Sequence, residues 1–168
     1  MTCLVLNGRS MPNEAKFVEG LLQKFPDVKS ILLNFNEKNT NVVLGREYRI
    51  LRGKGYIEDV LCGKRFRISP ASFYQVNHDG AELLYGIAGE RANLSEGETL
   101  LDLYCGIGTI SLALSRQAGK VIGAEIVPEA IEDAKQNAAR NGVTNAEFFC
   151  GDAGAIAQKL ADEGIRPD

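Results

Sequence analysis

The chain has 168 residues, 45% of them hydrophobic and 24% charged, with a formal net charge of −3. That length carries one well-buried domain, or one domain and part of another, and the apolar fraction excludes a disordered chain. No apolar run approaches the roughly 18–20 residues of a membrane span, and the start MTCLVLNGRSMPNE lacks the cationic and apolar regions of a signal peptide, so a cytoplasmic protein with no membrane partner is expected.

Along the chain, CLVLN (Cys3–Asn7) is a short apolar run that reads as a strand. Pro12 opens a segment in which Val18, Leu21, Leu22 and Phe25 fall on one face of a helix, and Pro26 stops it. VKSILLNF (Val28–Phe35) is β-rich, and NEKNTN (Asn36–Asn41) is a polar turn or loop. From Val42 to Ile68 short β-like runs alternate with glycines, which predicts hairpins. Residues 1–70 thus read as a small α+β domain. Within it, residues 45–67 hold seven Lys/Arg against three acids, whereas residues 68–168 hold seven against fifteen. The basic segment is either a phosphate-contacting surface or the solvent face of strands, and charge alone favours the second.

Residues 71–98 read as a connector and a helix. SPASFYQVN (Ser69–Asn77) is irregular, and a helix is predicted from Asn77 to Arg91, burying Leu84, Ile87 and Ala88. From Thr99 the pattern becomes strict α/β alternation. TLLDLY (Thr99–Tyr104), KVIGAEI (Lys120–Ile126) and AEFFC (Ala146–Cys150) are strands. Helices follow the first to Ala118, the second from Pro128 to Asn141-Gly142 with Ala130, Ala134 and Ala138 on one face, and the third over Ala155–Glu163. The fold class expected is α/β, the N-terminal half of a Rossmann-like doubly wound sheet behind a small α+β domain. The ending GIRPD resembles a loop into a fourth strand, so the chain reads as a fragment whose first strand is an exposed edge open to self-association.

Asp102-Leu-Tyr-Cys-Gly106-Ile-Gly108-Thr109 lies between a predicted strand and a helix, the context a cofactor loop requires. Glu125 ends the second strand seventeen residues after Gly108, where its carboxylate can accept hydrogen bonds from both hydroxyls of a ribose. Asp152, just after the third strand, lies at the same sheet edge, within reach of an adenine amino group or of nearby polar atoms. The third glycine of a dinucleotide loop is replaced by Ser111, and Asp102 disfavours a pyrophosphate. A cationic sulfonium and ammonium suit such an acid, so the constellation points to S-adenosylmethionine. The four cysteines, Cys3, Cys62, Cys105 and Cys150, are widely spaced and offer no metal cradle.

SPASFYQVN, LLDLYCGIGTISLAL, VIGAEIVPEAIEDAKQNAARNG and EFFCGDA resemble consecutive motifs of the RNA uracil-5-methyltransferases, class I enzymes that modify uridine C5 in ribosomal or transfer RNA with S-adenosylmethionine. The resemblance covers nearly the whole chain. It implies that Gln75 touches the methionine part of the cofactor, that Tyr104 and Thr109 contact it from the glycine loop with Asp102, Gly106 and Gly108, that Glu125 holds the ribose, and that Asp152 lies near the adenine. It also implies an RNA substrate, 23S rRNA first and tRNA second.

Uracil C5 is a poor nucleophile until a thiolate adds at C6, after which a base removes the C5 proton. The cysteine and glutamate that do this in the family come after the fourth strand, so no catalytic residue is assigned within these residues and the chain alone is expected to be inactive. Cys105 reads as a structural residue of the loop, and His78 as a surface or capping residue. The alternatives are an S-adenosylmethionine enzyme with another substrate, a non-catalytic RNA-binding module working through residues 45–67, and, more distantly, a nicotinamide-dependent oxidoreductase.

Overall fold

The computed structural model describes residues 1–38 and 41–168; of the turn expected over Asn36–Asn41, Asn39 and Thr40 lie outside the described residues. The chain divides into two units, Met1–Ile57 with Ser69–Ala71, and Glu58–Ile68 with Ser72–Asp168.

In the first unit, β1 (Thr2–Leu6), α1 (Glu14–Lys24) and β2 (Ile31–Phe35) form a crossover with β1 and β2 parallel, and β3 (Glu47–Arg52) pairs antiparallel with β2. β2 is the buried centre, with Ile31, Leu32, Leu33 and Asn34 all shielded. Asn34 is satisfied there by donating to the Gly45 and Glu47 carbonyls and accepting from the Gly45 amide. α1 starts at Glu14, two residues later than Pro12 suggests, and buries none of its residues. Phe25, expected on its packed face, is an exposed cap just beyond the last turn.

In the second unit, β4 (Ile57–Leu61) and β5 (Lys64–Ile68) form a two-stranded sheet joined at Cys62-Gly63, both residues with positive φ. Sequence alone groups this hairpin with the first seventy residues; by contacts it lies with the second unit, because β5 packs on α4 (Pro128–Arg140). α2 (His78–Ala92) starts at Asn77, whose side-chain oxygen accepts from the Gly80 amide at 3.0 Å. Its buried face is Ala81, Tyr85 and Gly89, and the expectation for Leu84 and Ile87 is corrected: they are 56% and 46% exposed. The reason is close approach. A Cβ on Gly89 would stand 2.9 Å from Leu114 Cδ2, so small residues, not a leucine stripe, face α3 (Thr109–Leu114).

β6 (Thr99–Asp102), β7 (Lys120–Glu125) and β8 (Ala146–Cys150) form a parallel sheet in the order β6-β7-β8, linked by α3 and α4, with α5 (Ala153–Asp162) following. Val121, Ile122 and Ala124 of β7 are inaccessible to solvent, as a strand covered on both faces requires. α3 ends at Leu114, short of Ala118, because the Ser115 and Gln117 amides turn to carbonyls three residues back. At the outer edge of β6, the Asp168 amide donates to the Thr99 carbonyl (3.1 Å) and the Thr99 amide to the Asp168 carboxylate (2.9 Å). The alternation and parallel pairing are Rossmann-like, as expected. Among the described residues no helix is long and apolar enough to cross a membrane, and no group of three or more His, Cys, Asp or Glu could hold a metal ion.

Candidate functional site

The strands of the β6-β7-β8 sheet end along one edge, where Asp102 pairs with Gly123 and Glu125 with Cys150 in register. Between β6 and α3 the chain makes a tight loop: the Cys105 amide donates to the Ala124 carbonyl (3.0 Å) and the Gly108 amide to the Cys105 carbonyl (2.8 Å). Gly106 and Gly108 have φ of +54° and +82°. Gly108 is required twice over, since a Cβ there would also lie 3.3 Å from Phe148 Cζ and 3.4 Å from Ala134 Cβ. The Glu125 carboxylate clamps this loop, accepting from the Gly106 amide (3.3 Å) and the Val127 amide (3.0 Å) on different oxygens, each of which keeps a further acceptor site.

Asp102 is the other acid. The buried Ser111 hydroxyl donates to its Oδ2 at 2.7 Å, and the Tyr104 amide reaches its Oδ1 at 3.4 Å. Burial pushes its carboxyl above the usual carboxylate range, the charge of Glu125 adds to this, and the two hydrogen bonds oppose it. Ser111, noted in the sequence only as a missing glycine, thus partners a half-buried acid. Cys105 is buried with its thiol pushed well up, by burial first and then by Asp102 and Glu125. It stays a thiol at neutral pH and is no nucleophile.

A cavity of about 190 Å³ opens at the loop, lined by Gln75, Asp102, Tyr104, Gly106 and Thr109, together with Phe73, Tyr85 and Ile110. The connector reaches it through alternating anchors. Ser72 donates to Asp133 Oδ2 (3.1 Å) and the Tyr74 hydroxyl donates to Asp59 Oδ2 (3.1 Å), while the residues between and after them, Phe73 and Gln75, line the cavity. Tyr85 enters from α2, its hydroxyl 3.2 Å from Thr109 Oγ1.

A family model described as a methyltransferase domain matches residues 94–165. A protein of Bacillus cereus described as an uncharacterized RNA methyltransferase is 47% identical over all 168 residues, and one of Staphylococcus aureus is 45% identical over the same span. The chain is thus similar over its whole length to proteins described as RNA methyltransferases, and residues 94–165 match a methyltransferase domain. It spans 36% and 37% of those two relatives' lengths. Among solved structures, the Pyrococcus abyssi tRNA (uracil-54, C5)-methyltransferase in complex with S-adenosyl-L-homocysteine superposes with a TM-score of 0.67 at 29% identity, covering 89% of this chain and 35% of that one. Trm5b from Pyrococcus abyssi matches in fold, with a TM-score of 0.57 at 22% identity over 90% of this chain and 45% of that one. The Rossmann-like sheet is therefore that of the class I methyltransferases.

Within this methyltransferase fold, five of the eight residues singled out in the sequence line the cavity; Gly108 lies behind the loop and Glu125 clamps it from β7. Asp152 stands apart from the cavity lining, accepting from the Ala155 amide (3.0 Å) as the N-cap of α5, one residue after Gly151, whose amide donates to the Glu125 carbonyl. Tyr104 is 83% exposed. Sequence reasoning missed Tyr85 and Phe73; the signal for Tyr85 was its spacing between the small residues Ala81 and Gly89 on one helix face. His78 is at the first turn of α2, its Nε2 2.7 Å from the Val60 carbonyl, away from the cavity lining.

Of the seven Lys/Arg of the basic segment, Arg46, Arg49, Arg52, Lys54 and Arg65 are exposed. Arg49 pairs with Glu14; Arg67 reaches Gln136, and its Nε lies 3.3 Å from the buried Asp133; Lys64 is buried. These three cations make contacts within the fold, while Arg46, Arg52, Lys54 and Arg65 lie on the surface.

Proposed function

We propose that the glycine loop of this chain holds S-adenosylmethionine for an RNA methyltransferase acting on C5 of uridine. The observation that carries the reading is Asp102: a half-buried carboxylate at the cavity, with no Lys or Arg among the described residues lining that cavity. Such a lining suits the ammonium and sulfonium of this cofactor and opposes a pyrophosphate. When bound, the cofactor supplies an electrophilic methyl group. The cavity of about 190 Å³ is smaller than the roughly 300–1,000 Å³ that encloses a whole drug-sized ligand. It takes the methionine end beside Gln75, Asp102, Tyr104 and Thr109, while the ribose lies against Glu125 and the adenine toward Asp152.

The uridine C5 assignment rests on the likeness to the tRNA (uracil-54, C5)-methyltransferase and on the SFYQVN segment, whose Phe73 and Gln75 line the same cavity. The substrate is an RNA, 23S rRNA first and tRNA second, and the setting is the cytoplasm. The thiolate and base for C5 come from outside these 168 residues. Calorimetry against S-adenosylhomocysteine and NAD⁺ tests the cofactor reading: one-to-one binding of the first and none of the second is expected, and the reverse overturns it. Formation of 5-methyluridine by this chain alone would refute the placing of the nucleophile elsewhere.

A further inference from the structure

The helix α4 carries a polar stripe, Asp133, Asn137 and Asn141, at i, i+4 and i+8, and its first two members are buried. Asn137 is fully enclosed, and its carboxamide uses both N–H donors and one of the two acceptor sites on its oxygen. Its Oδ1 accepts from the Arg67 amide at 2.7 Å; its Nδ2 donates to the Arg67 carbonyl at 3.2 Å and to the Ile107 carbonyl at 3.2 Å. One side chain therefore completes the open edge of β5 as a neighbouring strand would and grips the middle of the glycine loop.

The grip falls on a particular peptide. The plane joining Ile107 to Gly108 has its carbonyl held by Asn137 and its N–H held by the Cys105 carbonyl at 2.8 Å. Gly108, at positive φ on one side of that plane, puts little intrinsic restraint on it. With a glycine on its C-terminal side, that peptide takes much of its orientation from what holds it, and Asn137 is the part of that hold contributed from outside the loop. Asn141 repeats the β5 half of the arrangement, accepting from the Arg65 amide (2.8 Å) and donating to the Arg65 carbonyl (2.8 Å), without a bond to the loop.

We propose that Asn137 is a positioning residue for the cofactor: it fixes the Ile107–Gly108 peptide and ties that peptide to β5, so that the hairpin and the loop keep one geometry. The proposal rests on the loop being the cofactor site. It names Asn141 as the internal control, because the two asparagines do the same work on β5 and differ at the loop.

The test compares the wild type with Asn137→Ser, Asn137→Ala and Asn141→Ala by amide hydrogen exchange and by calorimetry with S-adenosylhomocysteine. With differences in global stability subtracted, the Asn137 variants are expected to speed exchange at Gly108 by about tenfold or more and to weaken S-adenosylhomocysteine by about tenfold, the loss of one buried hydrogen bond; Asn141→Ala is expected to change neither. Equal effects from the two positions would overturn the proposal. If the wild type folds but binds no S-adenosylhomocysteine, the cofactor reading fails while the exchange comparison still decides whether Asn137 fixes the loop. If no Asn137 variant folds, the wild type decides: a Gly108 amide protected as strongly as those of β7 supports the anchor, and one exchanging orders of magnitude faster overturns it.

Discussion

Removing the Ser111 hydroxyl isolates the environment of Asp102. The hydroxyl is buried and donates at 2.7 Å to a half-buried carboxylate. A hydrogen bond to a charged group contributes about 1.5–3 kcal/mol, and Ser111→Ala leaves no new donor to replace it. The loss applies to the ionised form of Asp102, so the variant's carboxyl rises further above the usual range. The native Asp102 binds its proton more tightly than the unfolded one, so its contribution to stability is greatest below the ordinary carboxylate range and falls as pH rises through the raised value. The variant steepens that fall. At pH 8 the second unit should lose about 2 kcal/mol, shrinking to about 1 kcal/mol as the pH drops through the raised value, where a neutral hydrogen bond is all that is missed. Urea titration followed through the amides of Val121–Ala124 reports this unit without the first. A loss under about 0.5 kcal/mol at pH 8, or one equal at every pH, would refute the reasoning.

Other outcomes follow from the same geometry. Gly108→Ala forces a side chain into a left-handed φ of +82° against Phe148 and Ala134, which costs about 1–2 kcal/mol from the backbone alone and abolishes tight S-adenosylhomocysteine binding; denaturation and calorimetry check each part. S-adenosylhomocysteine affinity should weaken as pH falls through the raised Asp102 value, since only the carboxylate attracts its ammonium, and Asp102→Asn should bind weakly with a flat pH profile. Alkylation with iodoacetamide at pH 8 should modify the exposed Cys150 readily and spare Cys105, whose thiol burial pushes up; mass spectrometry of tryptic peptides gives the ratio.

The second half of the chain was legible because each of its signals is local. A doubly covered parallel strand reads as an apolar run, as Val121–Ala124 does, and Pro128 and Asn141-Gly142 bracket α4 as their backbone preferences dictate. The glycine loop and its two acids were legible for the same reason. What was not legible depends on partners far off in sequence. Asp133 and Asn137 look like a solvated helix face until Ser72 and Arg67, 61 and 70 residues earlier, satisfy them. Apolar periodicity put Leu84 and Ile87 inside, but α2 meets α3 across Gly89, where a leucine does not fit. Likewise nothing in the alternation of residues 57–68 states which unit the hairpin packs against.

The most direct test of the account is a ¹⁵N–¹H map of the chain titrated with S-adenosylhomocysteine. The account predicts that the perturbed amides cluster on Gln75, Asp102 to Thr109, Glu125 and Asp152, with α1 and β3 of the first unit unmoved. Shifts that cluster in the first unit, or that leave Gly106 and Gly108 untouched while the ligand binds, would contradict it.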